Sequence, residues 1–152
     1  MTQILLSLVL LTSGPAAGVL IGSAMGPVLA LQSLPPNRYV EMHRLLARRP
    51  EPFQPICFVT ALVCDAMLVV LVESVGVSML CAVAAACEAG VIMVSKARSN
   101  PLKRFATSFD PENLPDEWAQ IDPRPSWARW NLARTALASV ALVANVAAVV
   151  AM

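Results

Sequence analysis

The sequence predicts an all-α fold, a bundle of four transmembrane helices, and three observations carry that expectation. Of 152 residues, 57% are hydrophobic and only 14% are charged, whereas an ordinary soluble domain carries about 25% charged residues. Four apolar stretches approach or exceed the roughly 20 helical residues that a bilayer core requires. All 11 Lys and Arg residues fall in two regions that a four-span path places on one side. The chain therefore reads as one integral membrane domain over 1–152, with spans at about 4–34, 55–72, 77–94 and 127–151 and a cytoplasmic loop over 95–126.

The first stretch, Ile4 to Leu34, lacks the basic leader of a secretory signal and runs on past Ala16-Ala17, so it is expected to remain as a helix. Pro15 and Pro27 are expected to bend it. Spans two and three are separated by Glu73-Ser74-Val75-Gly76, residues suited to a tight reversal. The segment before span four holds prolines and acidic residues and is expected outside the bilayer, with one short interfacial helix around Pro115 to Ile121. Arg38, Arg44, Arg48 and Arg49 follow span one; Lys96, Arg98, Lys103, Arg104, Arg124, Arg129 and Arg134 follow span three or open span four. By the positive-inside rule that side is cytoplasmic and both termini are non-cytoplasmic.

The net charge of +1 and the lack of a basic stripe with interleaved aromatics give no reason to expect a nucleic-acid partner. Cys57, Cys64, Cys81 and Cys87 lie inside apolar stretches without a CxxC pair and read as small packing residues. One histidine and scattered carboxylates could bind a metal but form no supporting ligand pattern, so no metal site is expected.

Gly14, Gly18, Gly22 and Gly26 recur at intervals of four on one face of span one. Such a face lets a neighbouring helix approach closely, and tight packing is the expected use. A smooth wall for a flat ligand is the alternative, and association of copies into a homo-oligomer is also allowed.

Ionisable residues inside spans are costly and are expected to face the bundle interior. Asp65 lies about 15 Å into span two, while Glu88 and Arg134 each lie about 10 Å from the cytoplasmic end of their spans. That common depth suggests an ion pair between Glu88 and Arg134, either as part of a polar pocket or as a structural pair. On span four, Trp127, Asn131, Arg134, Ala138, Ala141 and Asn145 share one helical face. An indole, an amide and a guanidinium there suit a planar substrate with phenol or carbonyl oxygens. Trp130 reads as part of an interfacial aromatic belt. His43, just past span one, titrates in a range suited to a general base, or is a surface histidine with no catalytic task.

Several of these pieces together resemble the anthrone oxygenase-like family of small integral membrane proteins, whose bacterial members are mostly of unassigned function. They are the Gly18-x-x-x-Gly22 helix ending in Pro27, the Tyr39–His43 stretch, Asn100-Pro101-Leu102, and Trp127-x-x-Trp130-Asn131-x-x-Arg134. The chain departs from the family at Lys103, where Asn is common, and at Asn131, where His is frequent. The resemblance implies a four-helix fold in a membrane, the bacterial inner membrane for a bacterial member, and oxidation of an anthrone-type polycyclic phenol to a quinone by O2. It implies no cofactor, with O2 as co-substrate and a hydrophobic aromatic small molecule as partner. Under it, His43 or Glu88 would deprotonate, Arg134 and Asn131 would hold the enolate oxygen, Trp127 would stack on the ring, and Asn100 would order the loop over the mouth. Asp65 is the remaining candidate for substrate contact. The competing expectation is a non-enzymatic membrane component.

Overall fold

The computed structural model describes residues 1–48 and 52–152, so Arg49 lies outside the described residues. The elements are α1 (Thr2–Met25), α2 (Pro27–Ser33), α3 (Pro36–Ala47), α4 (Phe53–Leu71), α5 (Val75–Val94), a π-helical turn (Ser95–Ser99), α6 (Asn100–Ser108), α7 (Trp118–Ile121) and α8 (Arg124–Val150). No strand occurs among the described residues. Helices α1, α4, α5 and α8 pack as a ring in which α1 touches α4 and α8, and α5 touches α4 and α8. Four helical stretches, 2–33, 53–71, 75–108 and 118–150, are long and apolar enough to cross a membrane. The chain is a multi-pass membrane protein by that measure.

The distribution of polarity supports that assignment. Ile56, Val59, Val63, Val70, Met79, Val83, Leu132 and Val143 point outward, while Ser13, Asp65, Glu88, Asn131, Arg134 and Asn145 are buried. A bundle greasier outside than inside is stable in lipid, where apolar surface carries no hydration penalty and polar groups need the interior.

The interior is layered. One apolar layer joins Leu5, Leu6 and Val9 of α1 to Cys64 and Leu68 of α4, Val77 and Cys81 of α5 and Ala148 of α8. A second joins Ala16, Ala17 and Leu20 to Cys57, Phe58, Val91 and Ala138. The four cysteines are free thiols, three of them buried.

Several expected boundaries move. Gly26 (φ −136°, ψ −72°) separates α1 from α2, and Pro27 opens α2, whereas α1 runs on through Pro15. The reversal between α4 and α5 uses Val72, Glu73 and Ser74, with Gly76 already helical. Val72 and Ser74 are extended, and the Ser78 hydroxyl donates to the Val69 carbonyl at 2.9 Å across the hairpin. No left-handed residue is required, so the turn does not use glycine's freedom. The expected loop over 95–126 is largely helical. After α5 the chain continues through the π turn into α6, and α7 occupies the end of the expected interfacial helix.

The polar segments form a cap at one end of the bundle. Tyr39 and Val40 of α3, Ala106 of α6 and Trp118 of α7 make a small core of their own. Phe109 stands edge-on to Phe105 and Trp118, with centroids at 4.9 and 5.3 Å. Arg124, paired with Asp122, donates to the Leu34 carbonyl at 2.7 Å and lies 5.6 Å from the Tyr39 ring centre. One side chain thereby ties the start of α8 to the end of α2 and to the cap.

The glycine ladder does not pack as expected. A Cβ added at Gly14, Gly18, Gly22 or Gly26 would meet nothing within 4 Å. The close approach is at Gly90 instead, where an added Cβ would lie 3.1 Å from Leu137 Cδ1.

Candidate functional site

The inner face of α8 carries Trp127, Asn131, Arg134, Thr135, Ala138, Ala141 and Asn145, all buried. Two polar groups of residues divide along it. The first lies under the cap. His43 is buried at the base of α3, its ring 5.5 Å from Trp127 in an edge contact and 4.2 Å from Tyr39. Asn131 Nδ2 donates to Ser23 Oγ of α1 at 3.4 Å, and Thr135 Oγ1 donates to the Leu20 carbonyl at 3.3 Å. The Arg134 guanidinium donates through Nη2 to Gln54 Oε1 of α4 at 3.1 Å. Among the described residues, Trp127 Nε1, Arg134 Nε and Ser99 Oγ are buried without a hydrogen-bond partner.

His43 Nδ1 lies 3.2 Å from the Tyr39 carbonyl oxygen, which can only accept. In a neutral imidazole that contact fixes the proton on Nδ1 and leaves Nε2 as the basic atom. Burial is the main force holding His43 below its ordinary value of 6.5; the Tyr39 carbonyl partly offsets it and the Lys103 charge adds to it. Burial, helped by the negative charge of Asp122, pushes the Tyr39 phenol up to about 12 against the counter-effect of Arg124. Both rings are therefore neutral at physiological pH.

A lowered histidine value links pH to folding. The unfolded chain binds the proton more readily, so the cap is most stable above about 6.5 and loses stability as pH falls through the lowered value. Hydrogen exchange of α3 amides should accelerate on acidification in the native protein and change less in His43→Phe. Equal acid sensitivity in both would remove His43 as the cause.

The second group lies deeper. Asp65 of α4, Glu88 of α5 and Asn145 of α8 are fully buried. Asp65 interacts through its side chain with both Glu88 and Asn145, although none of the three completes a hydrogen bond of regular geometry. Ser13 of α1 is buried with its hydroxyl equally unpartnered.

This division corrects the expected Glu88–Arg134 contact. The ion pairs among the described residues are Arg38–Glu41, Arg44–Asp110 and Arg124–Asp122. Gly90 opposes Leu137, which fixes an antiparallel register between α5 and α8. Helical side chains lean toward the N-terminus of their own helix, so in antiparallel neighbours Glu88 leans away from the cap and Arg134 toward it. Depth counted from helix ends ignores this lean, and here it parts the two charges.

Of the remaining sequence-selected residues, Asn100 is exposed at the start of α6 and does not join the buried row. Trp130 is half-buried with the Arg98 guanidinium 5.2 Å from its centre. Gln54, Ser23, Ser99 and Thr135 escape a reading by sequence, because one polar residue in an apolar run gives no signal of its facing. An open depression of about 660 Å³ lies between α3 and the Asp110–Glu112 turn, lined by none of the buried row. Comparison with models of known protein families, with curated proteins and with solved structures finds no match for the chain.

Proposed function

We propose that the protein binds a flat, hydrophobic phenolic molecule under the cap and oxidises it with O2, as in conversion of an anthrone to an anthraquinone, in a bacterial inner membrane. The observation that carries this reading is the pair of buried donors without acceptors, Trp127 Nε1 and Arg134 Nε, on one face of α8. They are two turns apart, about 10 Å along the helix, a span that a tricyclic ring system bridges. Buried unpaired donors are costly, and the oxygens of such a substrate would satisfy them.

In this reading His43 Nε2 removes a proton from the activated ring carbon, and Arg134 and Asn131 hold the oxygen of the enolate that forms. The enolate carbon bonds to O2, and the peroxide takes up a proton. Loss of the remaining hydrogen from that carbon with cleavage of the O–O bond gives the quinone carbonyl and one water. The carbon loses four electrons and O2 gains four. Glu88 has no part in this scheme, since it leans away from Arg134.

The test is anthrone oxidation in vesicles reconstituted with the purified protein, followed by quinone absorbance and O2 uptake. A rate well above that of empty vesicles is expected. It should fall on acidification with an inflection below the ordinary histidine value of 6.5, and His43→Gln should lose the gain. Oxidation no faster than in empty vesicles, together with no binding of the phenol, would refute the proposal.

A further inference from the structure

Asp65, Glu88, Asn145 and Ser13 come one from each of the four bundle helices, and all are fully or almost fully buried. Ser13, Glu88 and Asn145 fall between the two apolar layers along their helices, and Asp65 is flanked by Cys64 and Leu68 of the first. Leu20 opposes Thr135 and Ser23 opposes Asn131, a register that brings Ser13 within one helical turn of Asn145. The Glu88 side chain leans along α5 away from the cap, toward the level of Asp65. Two carboxyl groups therefore approach one another in the buried interior, with an amide and a hydroxyl nearby.

Among the described residues no ion pair joins either carboxyl to a cation. Arg134 leans the opposite way, and the other described basic residues lie in or beside the cap. The titratable neighbours are the thiols of Cys64 on α4 and of Cys81 and Cys87 on α5, which bring no positive charge. Asn145 is fully buried, faces Asp65, and leaves both its carbonyl and its amide unpartnered. All four carboxyl oxygens likewise lack a donor. Two ionised carboxylates cannot share such a place without a large penalty. A carboxyl–carboxyl contact becomes a hydrogen bond only when one partner holds a proton.

We infer that Asp65 and Glu88 form an intramembrane proton-binding site, in which a proton is shared between the two carboxyl groups while Asn145 and Ser13 donate to the remaining oxygens. Proton binding makes one O–H bond and moves no electrons. The ligand is a proton rather than a metal ion because the two carboxyl groups interact with each other and no third acidic, histidine or cysteine ligand completes a metal-binding group among the described residues. The site is separate from the cap and does not depend on the oxidation proposed above.

Infrared absorption of the full-length protein in lipid vesicles tests this directly. At neutral pH a carbonyl-stretch band of a protonated carboxyl is expected, shifting when aspartate and glutamate carry an isotopically labelled carboxyl carbon. The labelling needs no substitution, so the reading survives if a variant fails to fold. The band should be lost in the Asp65→Asn/Glu88→Gln double variant. It should persist unchanged when choline replaces sodium in the buffer and when sodium is restored. Absence of the band at neutral pH, its retention in the folded double variant, or its disappearance on adding sodium would each overturn the inference, the last by identifying a sodium site.

Discussion

Arg134→Ala is expected to abolish the protein-dependent part of anthrone oxidation, a loss of about 10²–10³-fold, the usual effect of removing one donor to an oxyanion. The guanidinium has one side-chain partner, Gln54, and leaves its Nε free toward the cap among the described residues. An enolate oxygen there gains a charge-assisted hydrogen bond that the neutral substrate does not offer, so the contact acts on the reaction rather than on binding alone. Alanine should spare the fold, because it removes a buried charge along with a single hydrogen bond. Lysine should restore little, since its ammonium cannot reproduce the planar set of donors. Vesicle oxidation rates, normalised to folded protein by circular dichroism, decide the matter. Activity retained in folded Arg134→Ala would discard the site under the cap.

Gly90→Leu is expected to lower the unfolding temperature in detergent sharply, whereas Gly18→Leu should leave it nearly unchanged. At Gly90 even a Cβ would lie 3.1 Å from Leu137 Cδ1, and the larger side chain would push α5 away from α8. Overpacking of this kind costs about 1–3 kcal/mol, occasionally more. At Gly18 nothing lies within 4 Å, so leucine enters open space. Thermal unfolding followed by circular dichroism separates the two. A loss at Gly18 as large as at Gly90 would mean that the ladder is covered by another molecule in the intact membrane.

The contrast between these glycines marks how far a sequence can be read. The four spans are legible because each needs a long, nearly uninterrupted apolar run, which a water-soluble domain of this size rarely contains. Which face of a span turns inward is not legible where both faces are apolar, so spacing draws attention to Gly18 while Gly90 carries the contact. Residues 95–108 read as a loop because Lys96, Arg98, Lys103 and Arg104 dominate the composition. Leu102, Phe105, Ala106 and Phe109 nevertheless recur at helical spacing, a signal that marks the helix. Polar positions on α8 are legible by the same periodicity. Their partners need more than depth, because the lean of each side chain toward the N-terminus of its helix, which depth alone leaves out, separates residues of equal depth on antiparallel neighbours.

The π turn between α5 and α6 also works as a phase adjuster. A single π-helical turn accommodates one residue more than an α-helix would at that point. Rewinding Ser95–Ser99 as regular α-helix with every residue retained would swing all that follows by about 100° around the axis, whereas deleting Ala97 would remove the extra residue and keep the phase. In the first case Ala106, which now faces Tyr39 and Trp118, would be aimed elsewhere, and the lid over the buried row would lose its latch while the membrane-crossing helices kept theirs.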